Sequence, residues 1–162
     1  MLSDNILDLA AAIIDAQFNQ KLHYCQTVVF NVNKGHRKLL LEAVQQYHVN
    51  HGISLHRRIN PAERRSQILF VHTNHWIVVS NDHSSPINEV RVYDSHAGDA
   101  DCDFSHQVAA VFGFAQNSFT IQWFPVQQQA DGISCGLFAI AFLLGIANGV
   151  DPTQVTLSEE VR

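Results

Sequence analysis

The spacing of apolar residues changes several times along the chain, and each change marks an element. Ile6, Leu9, Ala10 and Ile13, flanked by Leu7, Ile14 and Phe18, follow helical intervals. They predict an amphipathic first helix with that face on the core and Ser3 as its cap. Gln26–Val32, QTVVFNV, is β-branched and aromatic enough for a short strand, ended by an Asn-Lys-Gly turn. Leu40, Leu41, Val44 and Tyr47 return to helical spacing and predict a second helix over His36–His48 that closes near Asn50 or Gly52. Ser54–Arg65 shows no period. It carries Pro61, Arg57, Arg58, Arg64 and Arg65, and reads as a surface connection with a solvated basic face.

Gln67–Val71 and His75–Ser80 read as strands, and Glu89–Asp94 as a third after the turn-rich NDHSSPI. With the fold-back centred on Ser84 and Ser85, Ser80 lies opposite Glu89 and His75 opposite Asp94. His75, Ile77 and Val79 then share a sheet face with Asp94, Val92 and Val90, while Trp76, Val78, Tyr93 and Arg91 line the other. A slip of one residue would part His75 from Asp94. Beyond the polar SHAGDADCD, Ser105 is placed to cap a short helix with Val108, Val111 and Phe112 inward. Ser118–Val126 reads as a further strand, with Pro125 at its end or on an edge.

The organising stretch is Val126–Ala147, VQQQADGISCGLFAIAFLLGIA. A polar, Gly-punctuated turn feeds Cys135 into the first turn of a helix that is apolar on every side. Such a helix has no solvent face, so it is expected in the middle of the domain with other elements packed round it. Asn148-Gly149 gives it a left-handed ending.

Composition narrows the picture. A chain of 162 residues makes one ordinary domain, residues 1–162, able to bury roughly 70% of its unfolded surface. With 46% hydrophobic and 15% charged residues it is globular rather than disordered. The net charge of −5 argues against nucleic acid as the main partner. No apolar run approaches the ~20 residues needed to span a bilayer. Cys25, Cys102 and Cys135 are odd in number and widely spaced, behind an acidic start without a basic leader. They predict a reducing, intracellular setting, nucleus or cytoplasm.

A helix N-terminus favours a thiolate over a thiol, which makes Cys135 a candidate nucleophile, with Ser134 as N-cap and Gly136 open to close approach. Thiol catalysis also needs a proton-shuttling histidine, a group that orients it, and donors for the oxyanion. His75, Asp94 and the Gln129 side chain supply those parts, with the Cys135 backbone N–H as a second donor. Taken singly, each has an ordinary role: Cys135 as a buried structural cysteine, His75 as a sheet-end histidine, Asp94 as a strand terminator, Gln127–Gln129 as a polar loop. The ten histidines include His72-x-x-His75, but no cysteine or carboxylate completes a ligand set, so neither metal nor cofactor is expected.

His75-Trp76 opening a β-branched strand, Val92-Tyr93-Asp94-Ser95 ending the next, and Gln129-Ala-Asp-Gly-Ile-Ser-Cys135-Gly136 before an apolar helix resemble the signature of the Ulp/sentrin-specific proteases, relatives of adenovirus proteinase. The order His, Asp, Gln, Cys matches, with the glutamine at the family's six-residue offset. Leu2-Ser3-Asp4 and Gly149-Val-Asp-Pro152 resemble the family's amino-terminal segment and the tail of its transposon-associated members. The resemblance implies an α+β, cysteine-proteinase-like fold, with a mixed, mainly antiparallel sheet round a central buried helix that starts at the nucleophile. It implies a monomeric thiol isopeptidase or endopeptidase cutting after the Gly-Gly end of a SUMO-like, or ubiquitin- or Nedd-type, modifier. His75, Asp94, Gln129 and Cys135 would be catalytic, and Asp4 and Trp76 would bind substrate, Trp76 as one wall of a diglycine slot. A sheet-packing role for Trp76 fits its position as well. The chain departs from the pattern at Ser134, where many members carry Asp, at Met1, where many carry Trp, and at Arg162, beyond which relatives usually continue. A clan-related acyl transferase and a module that binds a modifier without cutting it are the alternative functions.

Overall fold

A computed structural model of the chain describes residues 2–18, 22, 62–71, 74–82, 86, 88–96, 102–112 and 119–158. The strand expected at Gln26–Val32, the helix expected at His36–His48, and Arg57 and Arg58 lie outside them. In chain order the elements are α1 (Asp4–Gln17), β1 (Ser66–Val71), β2 (His75–Ser80), β3 (Glu89–Tyr93), α2 (Cys102–Phe112), β4 (Thr120–Phe124) and α3 (Cys135–Ala147). A 3₁₀ turn, Pro152–Gln154, follows. The strands form a mixed sheet in the order β1-β2-β3-β4, antiparallel except for the parallel β3/β4 pair.

Both faces of β2 are covered, which is why it is buried at every position and is apolar throughout between His75 and Ser80. Ile68, Trp76, Val78 and Tyr93 pack against Leu7, Ala11 and Ile14 of α1 and Phe138, Ala139, Phe142 and Leu143 of α3. On the other side Leu69, Ile77, Val79, Val90 and Val92 pack against Phe104, Val108 and Phe112 of α2. α2 begins at Cys102, so Ser105 lies inside the helix rather than capping it.

α1 turns a different face inward from the one its spacing predicts. Leu7, Ala11 and Ile14 are buried, whereas Ile6, Leu9 and Ile13 are 50%, 63% and 57% exposed. Both stripes have helical spacing. The buried one packs Leu7, Ala11 and Ile14 into the core shared with α3, and that tertiary contact, not the spacing, selects it.

α3 also departs from the expectation of burial on all sides. Phe138, Phe142 and Leu143 are buried, but Leu137 and Leu144 are 54% and 43% exposed, which leaves an apolar stripe uncovered by the described residues. Its end follows the reading. Gly149 adopts φ +77°, Val150 N–H bonds the Gly145 carbonyl at 2.8 Å, and Gly149 N–H bonds that of Ile146 at 3.0 Å, a Schellman ending.

Two of the four arginines are structural rather than solvated. Arg65 is buried, its Nη1 donating to the Val111 carbonyl at 2.7 Å and its Nη2 to Glu63 at 3.3 Å. The last carbonyls of a helix have no partner within it, and a guanidinium meets both that need and the negative dipole end of α2. Arg64 Nη1 donates to the carbonyls of Asn81 and Asp82 just after β2.

Candidate active site

His75 is the first residue of β2 and Asp94 the first after β3. Asn74, at φ +56°, makes the left-handed turn that launches β2, a conformation asparagine tolerates better than most residues. The β2/β3 register pairs Ser80 with Arg91 and Val78 with Tyr93, two residues on from the pairing read in the sequence. Because side chains alternate with period two, a shift of two keeps every residue on its predicted face. One further step sets Asp94 beside Ile77 and diagonal to His75, close enough for His75 Nε2 to meet Asp94 Oδ1 at 2.5 Å. Both side chains are buried. The same Oδ1 accepts the His96 N–H at 2.8 Å, so the carboxylate is held from two sides. An ionised carboxylate only accepts; the hydrogen of this pair therefore sits on Nε2, leaving Nδ1 with the lone pair that can take a proton.

The loop that delivers Cys135 is bonded to the residues bearing Asp94. Gln128 Nε2 donates to the Asp94 carbonyl at 3.0 Å, and Gln129 N–H to the Ser95 carbonyl at 2.7 Å. Ser95 Oγ donates to Gln129 Oε1 at 2.8 Å, and Gln129 Nε2 donates to the Asp131 carbonyl at 2.7 Å. Gln127 faces the other way: its amide takes the Leu157 N–H at 2.6 Å and gives to the Leu157 carbonyl at 3.0 Å, pinning the tail as a strand neighbour would. Each of the three glutamines thus holds a different piece of backbone, which a plain polar loop would not.

Cys135 opens α3 and is 1% exposed, among the side chains that include Trp76 and Tyr93. Ser134 precedes it in the N-cap position but does not cap through its side chain. Its hydroxyl instead donates to Asp131 at 2.6 Å, and Asp131 also accepts the Ile133 and Ser134 N–H groups at 2.9 and 2.8 Å. Those bonds, the Ser134 hydroxyl foremost, hold the Asp131 carboxyl below the usual range. The turn before the cysteine is therefore set by the carboxylate of Asp131.

Trp76 is buried, packs against Phe70 with ring centroids 4.6 Å apart and the planes inclined at 55°, and donates its indole N–H to the Leu2 carbonyl at 3.2 Å. These are the contacts of a sheet-packing aromatic, and its assignment to substrate stays a proposal. Leu2 in turn rests on Gly136, where an added Cβ would lie 3.1 Å from the Leu2 side chain. The close approach that Gly136 permits is thus made by the chain's own amino-terminal segment. Asp4 opens α1, but its side chain lies outside what the structure describes.

No protein-family model matches the chain, and no curated protein matches it in sequence. Solved structures do match. The SUMO protease Ulp1, with its catalytic cysteine oxidised to a sulfinic acid, superposes with a TM-score of 0.60 at 13% identity, over 96% of this chain and 69% of Ulp1. The Ulp1-like SUMO protease catalytic domain of Chaetomium thermophilum gives 0.60 at 18% identity, over 96% of this chain and 65% of that one. The chain has the Ulp1 protease fold. The Xanthomonas campestris effector XopD, bound to ubiquitin, shares that fold with a TM-score of 0.53 at 18% identity, over 97% of this chain and 85% of XopD.

Within that fold, the histidine, aspartate, glutamine and cysteine singled out in the sequence fall on β2, the end of β3, the approach loop and the start of α3. Ser95, His96 and Gln128, which stitch these pieces together, had no assigned role in the sequence. Ser95 and Gln128 find their partners only when the loop returns onto β3, whereas His96 bonds the Asp94 carboxylate two residues earlier through its backbone N–H.

Proposed function

We propose that the chain is a cysteine peptidase that cuts after the carboxy-terminal Gly-Gly of a SUMO-like or ubiquitin-like modifier. The observation that carries this reading is the buried His75–Asp94 pair at the sheet end, beside which Gln128 and Gln129, on the loop that leads to Cys135, bond the Asp94 carbonyl and the Ser95 hydroxyl. In this reading the Cys135 thiolate attacks the glycyl carbonyl after losing its proton to His75 Nδ1. The Cys135 N–H and the second Nε2 hydrogen of Gln129 stabilise the oxyanion. His75 then protonates the departing amine, and water, deprotonated by the same ring, releases the modifier from the thioester. The choice of a modifier as substrate is supported by the neighbours' own partners: Ulp1 is a SUMO protease and XopD is bound to ubiquitin.

The test is a panel of full-length SUMO types, ubiquitin and Nedd-type modifier, each carrying a carboxy-terminal electrophile. A covalent adduct with one of them, absent in Cys135→Ala, is the expected result. Absence of any adduct while Cys135 still reacts with a small alkylating agent would reject the modifier as substrate and bring an acyl-transferase reaction forward.

A further inference from the structure

Ser95 makes two bonds to one residue. Its carbonyl takes the Gln129 N–H at 2.7 Å, and its hydroxyl lies 2.8 Å from Gln129 Oε1. The other end of the same amide, Nε2, lies 2.7 Å from the Asp131 carbonyl. A carbonyl oxygen only accepts, so the atom facing Asp131 must be the nitrogen; the atom facing Ser95 is then the oxygen, and the hydroxyl donates. Reversing the amide would set two acceptors against each other. One Nε2 hydrogen goes to Asp131, and among the described residues the second has no acceptor.

We infer that Ser95 is a positioning residue that fixes the Gln129 amide with its nitrogen held for the oxyanion, an inference that rests on the peptidase reading above. Ser95 itself touches no reacting atom. The two bonds have separable roles. The backbone bond docks the loop and survives replacement of the side chain; the hydroxyl bond sets which end of the amide is presented. Without it the orientation depends on the single bond to Asp131, in a loop that is itself exposed at residues 130 to 133.

Ser95→Ala is expected to lower kcat by about 10–100-fold with KM little changed, short of the roughly 10²–10³-fold loss when an oxyanion donor is removed altogether. Ser95→Thr, which keeps the hydroxyl, restores most of the rate. In a Gln129→Ala background Ser95→Ala adds less than about twofold, because the group it orients is gone. Alkylation of Cys135 by iodoacetamide, which develops no oxyanion, stays at the wild-type rate. The side-chain amide protons of Gln129, followed by nuclear magnetic resonance in isotope-labelled protein, are expected to move towards free-glutamine positions in Ser95→Ala. Unchanged amide resonances in that variant would overturn the inference whether or not the protein turns over a modifier. So would equal losses from Ser95→Ala with Gln129 present and absent. A wild type that cuts no substrate, with the amide shift observed, would count against the peptidase reading and leave the positioning role standing.

Discussion

His75→Ala is expected to reduce turnover of a reactive substrate by about 10²–10⁴-fold, the range for losing a positioned acid–base group. Among the described residues the ring's hydrogen-bond partner is the Asp94 carboxylate, 2.5 Å from Nε2, so the proposed proton transfer falls to Nδ1. The effect of Asp94 is expected to be graded. In the structure one oxygen, Oδ1, accepts both from His75 Nε2 and from the His96 N–H. Asparagine offers the same acceptor in the same place, so Asp94→Asn should remain within about tenfold of the wild type, whereas Asp94→Ala, which frees the ring to rotate and change tautomer, should lose about 10²–10³-fold. Steady-state kinetics on the three variants, with thermal melts to show that each is folded, checks the order. An Asp94→Asn variant as slow as Asp94→Ala would show that the carboxylate's charge, rather than its acceptor geometry, is what His75 requires.

Phe142→Ala is expected to destabilise the protein by about 3–5 kcal/mol. Phe142 is fully buried in α3, its ring centroid 5.9 Å from that of Phe138, where the helix meets the sheet. A loss of that size is a large share of the roughly 5–15 kcal/mol that a domain has in total. Leu144→Ala, on the same helix and equally apolar in sequence, should cost no more than about 1 kcal/mol, because that side chain is already 43% exposed. Urea unfolding midpoints for the two variants measure the difference. Equal losses would mean that α3 is enclosed on all sides, as its composition alone suggests.

The contrast between the buried Phe142 face and the exposed Leu144 face of α3 marks where the sequence stops being informative. Strand positions were legible because β2 and β3 carry β-branched runs bounded by turns, and the cysteine's place at the head of α3 followed from an abrupt change from polar to apolar residues. Which side of a helix is buried was not, since α1 has two stripes of equal spacing and tertiary contact with α3 selects the one with Ala11. The hairpin register was off by two residues, yet the His75–Asp94 pairing survived because only odd shifts exchange the faces. Arg65 reads as solvated in the sequence because its partner at the end of α2, the Val111 carbonyl, lies far along the chain. The glutamine run was the least legible of all. Identical neighbouring side chains take up the tail, the Asp94 backbone and the Ser95 hydroxyl, and nothing local distinguishes them.

Cys135, 1% exposed, would behave differently as the proposed nucleophile and as a packing residue. A buried structural thiol is inert, whereas a thiol at a helix N-terminus beside a general base is reactive. The measurement is the rate of iodoacetamide labelling at each of Cys25, Cys102 and Cys135 in the folded protein at neutral pH, resolved by peptide mass. The prediction is that Cys135 reacts about tenfold or more faster than the other two, and that His75→Ala removes the difference. Labelling of Cys135 that is the slowest of the three, and indifferent to His75, would contradict the account.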